Sequence, residues 1–327
     1  MGNHGFPLPQ ESVDYTAQHR SRTSTNSPRR GESEGPVPTT SSRRIATTMA
    51  SGLSEGIKLG IGTGIKAAAA TADYARPPRS GVTVLIYHRV GRRARVEMDL
   101  DAHIFERQIS ELAEGGRVVD IDRGLAYLDG SLPQPSYNPV VITFDDGTSD
   151  FAEIALPILV KYGVPALLYV STEFLDSGRE FPYAGTPLSW DAARDTTTTG
   201  LITLGSHTHT HALLDRVDAA TARDELDRSI ERLSEETGLA PKHFAYPKAL
   251  LGTPAAAELV RERFVSASIS GTKRNVFLES DPYQLARSPI QARDGMRWFR
   301  RKVDGGLRLE DDLRGRINRL RYRGASE

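Results

Sequence analysis

Residues 140 to 150 read VVITFDDGTSD, in which five β-branched or aromatic residues end in two adjacent acids and a glycine. An apolar run without alternation, closed by a turn signal, reads as a fully buried strand. On its C-terminal side FAEIALPILVKYG has the length of a helix with Gly163 as its stop, and PALLYV is the next strand. On its N-terminal side VTVLIYH is another short apolar run, and Phe105, Ile109 and Leu112 share one helical face between the two. LITLGSH, KHFAYP and FVSASIS repeat the strand texture, while Leu226, Ile230 and Leu233 mark a helix that Gly238 closes. Strand and helix in repeated succession predict an α/β fold on a parallel sheet, open or closed into a barrel. Chemistry in such folds gathers at the C-terminal ends of the strands. Asp145, Asp146, His88, His207 and the pair Tyr246–Pro247 are therefore expected on one rim.

The second chemically loaded stretch is TLGSHTHTHALL, residues 203 to 214, with three of the chain's eight histidines. His207 and His211 are four apart and share a face of a helix or tight turn, whereas His209 points elsewhere. Two imidazoles beside a carboxylate make a three-ligand site for a divalent metal, with positions left open for water. Zinc suits this donor set best, and cobalt, nickel or iron also fit it. Two adjacent acids at a strand end can divide the work, one facing the metal and the other the water. The bland alternative is a turn with helix-capping acids and a polar histidine loop. The two motifs together, each at a strand end, favour the site.

Bulk composition narrows the function class. The 327 residues carry 42 Lys and Arg against 42 Asp and Glu, so no global field favours nucleic acid. With no cysteine, thiolate nucleophiles and thiolate metal sites are excluded. Residues 1–79 are rich in Ser, Thr, Pro, Gly and Arg and read as a disordered or weakly structured extension. Glu55, Lys58 and Lys66 interrupt the only long small-residue stretch, so no integral membrane segment and no signal peptide is expected. That points to the cytoplasm or to atypical export. The catalytic domain is expected over 80–292. Residues 293–327, with eleven Lys or Arg against six Asp or Glu, read as a basic helical tail. Its charge is either a solvated face or a contact to an anionic surface.

From Thr83 to Ile290 the chain resembles the polysaccharide deacetylase family, carbohydrate esterase family 4, with its nodulation-type chitooligosaccharide deacetylase domain. The resemblance rests on LIYHRV, ITFDDGTSD, PALLYVSTEFLDSG, LGSHTHTHALL, HFAYP and ARSPI, in that order. It implies a distorted β/α (TIM-like) barrel and metal-assisted removal of acetyl groups from a sugar, usually an N-acetyl hexosamine. By the same resemblance Asp145 is the general base, Asp146, His207 and His211 hold the metal, and Arg287 orients Asp145. The backbone N–H of Lys248, after Pro247, is the implied oxyanion donor. The FAYP stretch is most similar to the branch acting on poly-N-acetylglucosamine.

Two departures matter. Lys248 and Ala249 stand where relatives carry Tyr-Gly or a similar pair, and the late stretch LARSPIQARDGM lacks the histidine that relatives use to protonate the leaving amine. His88 is the candidate replacement: it ends the first strand, and an imidazole titrating near about 6.5 exchanges protons at neutral pH. The plain alternative is a structural histidine. Trp190 is either a sugar-stacking residue or core. The expected activity is deacetylation of an N-acetylated glycan. The alternatives are an O-acetyl esterase, a hydrolase of non-sugar amides, or a glycan-binding or assembly protein that turns over weakly.

Overall fold

The computed structural model describes residues 64, 66–73 and 77–308. The readings of the extension before residue 64 and of the tail past residue 308 lie outside the described residues.

Seven parallel strands form one sheet: β1 (Gly81–Tyr87), β2 (Val140–Phe144), β3 (Ala166–Val170), β4 (Ile202–Ser206), β5 (His243–Ala245), β6 (Ser266–Ser270) and β7 (Leu285–Pro289). They neighbour one another in chain order, and β7 returns to β1 by pairing Val84 with Arg287, Leu85 with Ser288 and Ile86 with Pro289. The sheet is thus a closed barrel. Its last stave, LARSP, has no apolar run to announce it, yet it removes the open edges that an unclosed sheet would expose.

Helices fill the connections. The first, α1, covers 66–73. α2 (Ala102–Glu114) and α3 (Ile121–Leu128) follow β1, and α4 (Leu156–Tyr162) follows β2. α5 (Thr172–Ser177) and α6 (Trp190–Thr198) follow β3, α7 (Ala219–Thr237) follows β4, α8 (Pro254–Arg263) follows β5, and α9 (Gly295–Val303) follows β7. The stop signals act as read: Gly163 and Gly238 end α4 and α7 in the left-handed conformation, at φ 63° and 71°. Asp218 caps the start of α7 by accepting from the Thr221 N–H.

Strand alternation sorts the side chains. Tyr87, Ile142, Phe144 and Leu168 pack outward beneath the helices, while Val84, Val141, Leu167, Tyr169 and Leu285 fill the barrel interior. The period of two then turns Thr143 and Asp145 inward with Val141, and Arg287 inward with Leu285. Helix α3 adds Ile121, Tyr127 and Leu128 to this inner cluster and closes the end of the barrel opposite the rim.

The expected divisions at 79/80 and 292/293 do not coincide with the packing. Ala69 of α1 is buried with Trp298 and Leu307, and Phe299 and Val303 of α9 belong to the main core. Asp294 accepts from both Lys66 and Lys302, all three buried, so one basic group of the expected tail, Lys302, is paired inside the fold. Arg300 matches the solvated reading better, lying exposed against Glu111. Among the described residues no helix is long and apolar enough to cross a membrane.

Candidate active site at the barrel rim

Strand register delivers Asp145 to its place. Tyr87 is paired with Phe144, and the Asp145 N–H donates to the Tyr87 carbonyl at 3.1 Å, so His88 and Asp145 leave neighbouring strands at the same level. Asp146 follows at φ 75° and Gly147 at φ 89°. A Cβ on Gly147 would lie 2.8 Å from Val170 Cγ1, so only glycine lets the chain turn here against β3.

Inside the barrel Asp145 meets Arg287, and both are buried. The guanidinium donates from Nη1 to Oδ1 at 2.5 Å and from Nη2 to Oδ2 at 2.7 Å, and Nη1 also donates to Thr143 Oγ1 at 3.2 Å. Arg287 lies 5.2 Å from the centre of the Tyr169 ring. That ring has room because residue 205 is glycine, where a Cβ would come within 2.6 Å of Tyr169 Cδ1. Burial alone would push the Asp145 carboxyl up; the positive charge of Arg287, helped by His207, by the Arg287 hydrogen bonds and by His88, brings it down to about 2.

β4 delivers the histidines. His207 Nδ1 lies 2.7 Å from the Ala245 carbonyl, an acceptor, so Nδ1 carries the proton and Nε2 keeps its lone pair. This Nε2 is 3.6 Å from Asp146 Oδ1 and 3.8 Å from Asp145 Oδ2. The loop returns through His211 at φ 65°, whose Nε2 is 3.5 Å from the same Asp146 oxygen. Burial pushes His207 down to about 4, against the pull of Asp145, so its ring is neutral at physiological pH. One ligand atom from each of Asp146, His207 and His211 lies within 4.8 Å of the other two. Ligands about 2.0–2.2 Å from a tetrahedral zinc sit about 3.3–3.6 Å apart, so the donor set fits a small divalent ion. His209 turns away: its Nδ1 lies 2.8 Å from Thr172 Oγ1, and its N–H donates to Glu225.

The remaining sequence candidates divide. Pro247–Ala249 forms a tight turn directly after the Ala245 carbonyl that holds His207, with Lys248 at φ 51° and Ala249 at φ 55°. The Tyr246 side chain is not at the site: it is 1% exposed and packs edge-on against Phe244 in the outer core. Trp190 is half-buried at the start of α6, its Nε1 donating to Asp176 at 2.9 Å with Arg232 over the ring. The sequence reading missed Tyr169 and Thr143, which support Arg287; Gly205 within LITLG was the available signal, since glycine inside a strand marks a close approach. Backbone strain adds a second marker. Of the ten non-glycine residues with positive φ among the described residues, Asp146, Thr208, His211, Lys248 and Ala249 lie on these rim loops, where strain of this kind gathers at functional sites.

Residues 133–261 match the family model described as polysaccharide deacetylase. No curated protein matches the chain. Among solved structures, IcaB from Ammonifex degensii is similar at 24% identity and TM-score 0.59, covering 69% of this chain and 98% of its own. The Streptococcus pyogenes deacetylase PplD, solved in complex with acetate, is 18% identical at TM-score 0.59, over 69% of this chain and 99% of its own. The de-N-acetylase from Aggregatibacter actinomycetemcomitans is 19% identical at TM-score 0.57, over 68% and 99%. These likenesses carry the barrel, and the family model spans the stretch from before Asp145 through Lys248. Residues 133–261 thus match a polysaccharide deacetylase domain, and the barrel that holds them is the one these solved structures share.

Proposed function

We propose that the chain removes acetyl groups from an N-acetylated glycan, with Asp145 as general base and Asp146, His207 and His211 as ligands of a divalent metal, zinc first among the ions that fit. The observation that carries this reading is the three-donor cluster beside a carboxylate fixed by a buried arginine. When bound there, the ion supplies Lewis acidity that polarises the acetyl carbonyl and lowers the pKa of a water toward neutrality, where a carboxylate as weakly basic as Asp145 can take its proton.

Asp145 accepts the proton of the attacking water as the new C–O bond forms. Arg287 grips both carboxylate oxygens, so the base keeps one orientation and loses no freedom during the reaction. The Lys248 N–H donates to the carbonyl oxygen as it gains charge. His88 gives a proton to the amine nitrogen as the C–N bond breaks, leaving acetate and a free amino sugar. His88 supports this role by leaving its strand at the level of Asp145. A poly-N-acetylglucosamine substrate is favoured by the FAYP stretch at residues 244–247.

The test is acetate release from N-acetylglucosamine oligomers and from O-acetylated xylan, with zinc or cobalt added and after chelation. Release from the oligomers that chelation abolishes and zinc restores is the expected result. Release from the xylan alone would replace the amide reading with the ester one, and zinc binding without any acetate would favour a glycan-binding protein. For His88→Asn we expect turnover on the oligomers to fall about 10²-fold or more while zinc content stays at the wild-type level, since general acids contribute on that scale. Unchanged turnover would remove His88 from the mechanism.

A further inference from the structure

Between β3 and α6 the chain makes a tight turn, residues 181–185, closed at both ends by hydrogen bonds. Phe181 N–H donates to the Gly185 carbonyl at 2.8 Å and Gly185 N–H to the Phe181 carbonyl at 3.2 Å. Phe181 is buried and stacks on Phe174 with ring centres 3.9 Å apart, anchoring the turn from below. At its tip Tyr183 is 66% exposed, the only aromatic among the exposed large apolar side chains of the described residues. Single exposed apolar residues usually mean nothing. Three observations set this one apart.

The first is strain. Tyr183 and Ala184 both have positive φ, 62° and 55°, where glycine or asparagine would fold the same turn at less cost. The second is support. Arg89, itself buried, donates from Nη1 to the Tyr183 carbonyl at 3.0 Å and from Nη2 to the Ala184 carbonyl at 3.2 Å, so a charged group is committed to holding the strained pair. The third is position. Arg89 is the residue after His88, and the other end of the turn is sewn to the segment after Asp146: Ser149 N–H donates to the Thr186 carbonyl at 2.8 Å, Leu188 N–H to the Gly147 carbonyl at 2.9 Å, and Thr148 bridges Pro187. The exposed ring is therefore fixed between the backbone that follows His88 and the backbone that follows Asp146.

We propose that Tyr183 is a stacking platform for a sugar ring adjoining the one that loses its acetyl group, so that the substrate is an oligomer of at least two sugars. This rests on the glycan reading of the same rim. An aromatic face matches the C–H face of a pyranose, the Tyr hydroxyl can meet a sugar hydroxyl, and a ring held by a buried arginine loses little freedom on binding.

The test compares wild type, Tyr183→Ala and Tyr183→Phe, all zinc-loaded. For β-1,4- and β-1,6-linked tetramers of N-acetylglucosamine, the alanine variant should raise KM roughly 5- to 10-fold with kcat within about twofold, the scale of one aromatic contact. The ratio of kcat/KM on the tetramer to kcat/KM on 4-nitrophenyl acetate should fall by the same factor, and the phenylalanine variant should recover most of it. Calorimetry with the deacetylated tetramers, which bind without turnover, separates the two claims. Tyr183-dependent binding by a wild type that releases no acetate would keep the platform and remove the deacetylase. Binding that ignores Tyr183, or equal loss on both substrates, would overturn the platform.

Discussion

Asp145→Asn is expected to lower acetate release from N-acetylglucosamine oligomers by about 10³-fold or more, within the range general bases supply, while the protein still takes up zinc. The change is isosteric, and it removes the group that accepts the proton of the attacking water. Asp146, His207 and His211 remain, and His207 keeps its Nδ1 proton on the Ala245 carbonyl, so the ligand cluster stays assembled. The amide also turns an N–H toward a guanidinium that has only donors, and leaves the Arg287 charge buried without a counter-charge. Breaking a buried pair in this way costs about 3–5 kcal/mol, so the variant should melt earlier. Zinc content by elemental analysis, acetate by coupled assay and a urea titration decide the matter together. Full zinc occupancy with wild-type turnover would end the general-base assignment. Loss of zinc along with turnover would instead move Asp145 into the ligand set.

The rim was legible because strand ends are legible. An apolar run ending in Asp-Asp-Gly and another ending at His207 could be placed on one edge from periodicity alone, before any side chain was positioned. Closure was not, since LARSP pairs with β1 through its backbone while its serine and arginine give no strand signal. The same stretch carries Arg287, which the family resemblance set beside Asp145 but whose burial cannot be read from a charged letter in a short polar segment. Aromatic residues misled for the opposite reason. Tyr246 stands beside rim residues in sequence, but its ring turns outward with Phe244 and is buried, while Tyr183 lies in a stretch with no motif to mark it. At the chain's ends composition hid pairing. Lys302 falls in the run offered as a solvated face, yet it shares the buried Asp294 with Lys66, a residue 228 positions from that partner in sequence.

Arg287→Met separates the positioning of the base from its chemistry, and its effect should depend on pH in a definite direction. In the native chain the Asp145 carboxyl sits at about 2, below the ordinary value of 3.8 that it has when unfolded. Its ionised form thus stabilises the fold above about pH 4, and that contribution is lost as the pH falls from 4 toward 2. Methionine keeps much of the volume and removes the charge, so burial, the largest influence on Asp145, is then opposed only by the smaller pull of His207 and His88 and is expected to carry the folded carboxyl above its unfolded value. The sign reverses: ionisation of Asp145 now opposes folding, and stability falls as the pH rises through the raised value. The variant's deficit should therefore be largest at pH 7.5, about 3–5 kcal/mol, and should shrink on acidification to pH 4. Urea titrations of both proteins at pH 7.5, 5.5 and 4.0 measure it. The acid limb of kcat should move upward in parallel, because a base that protonates more readily is disabled at a higher pH. A deficit that is the same at every pH would mean that Arg287 serves only packing, and the arrangement that holds Asp145 ionised would then need another source.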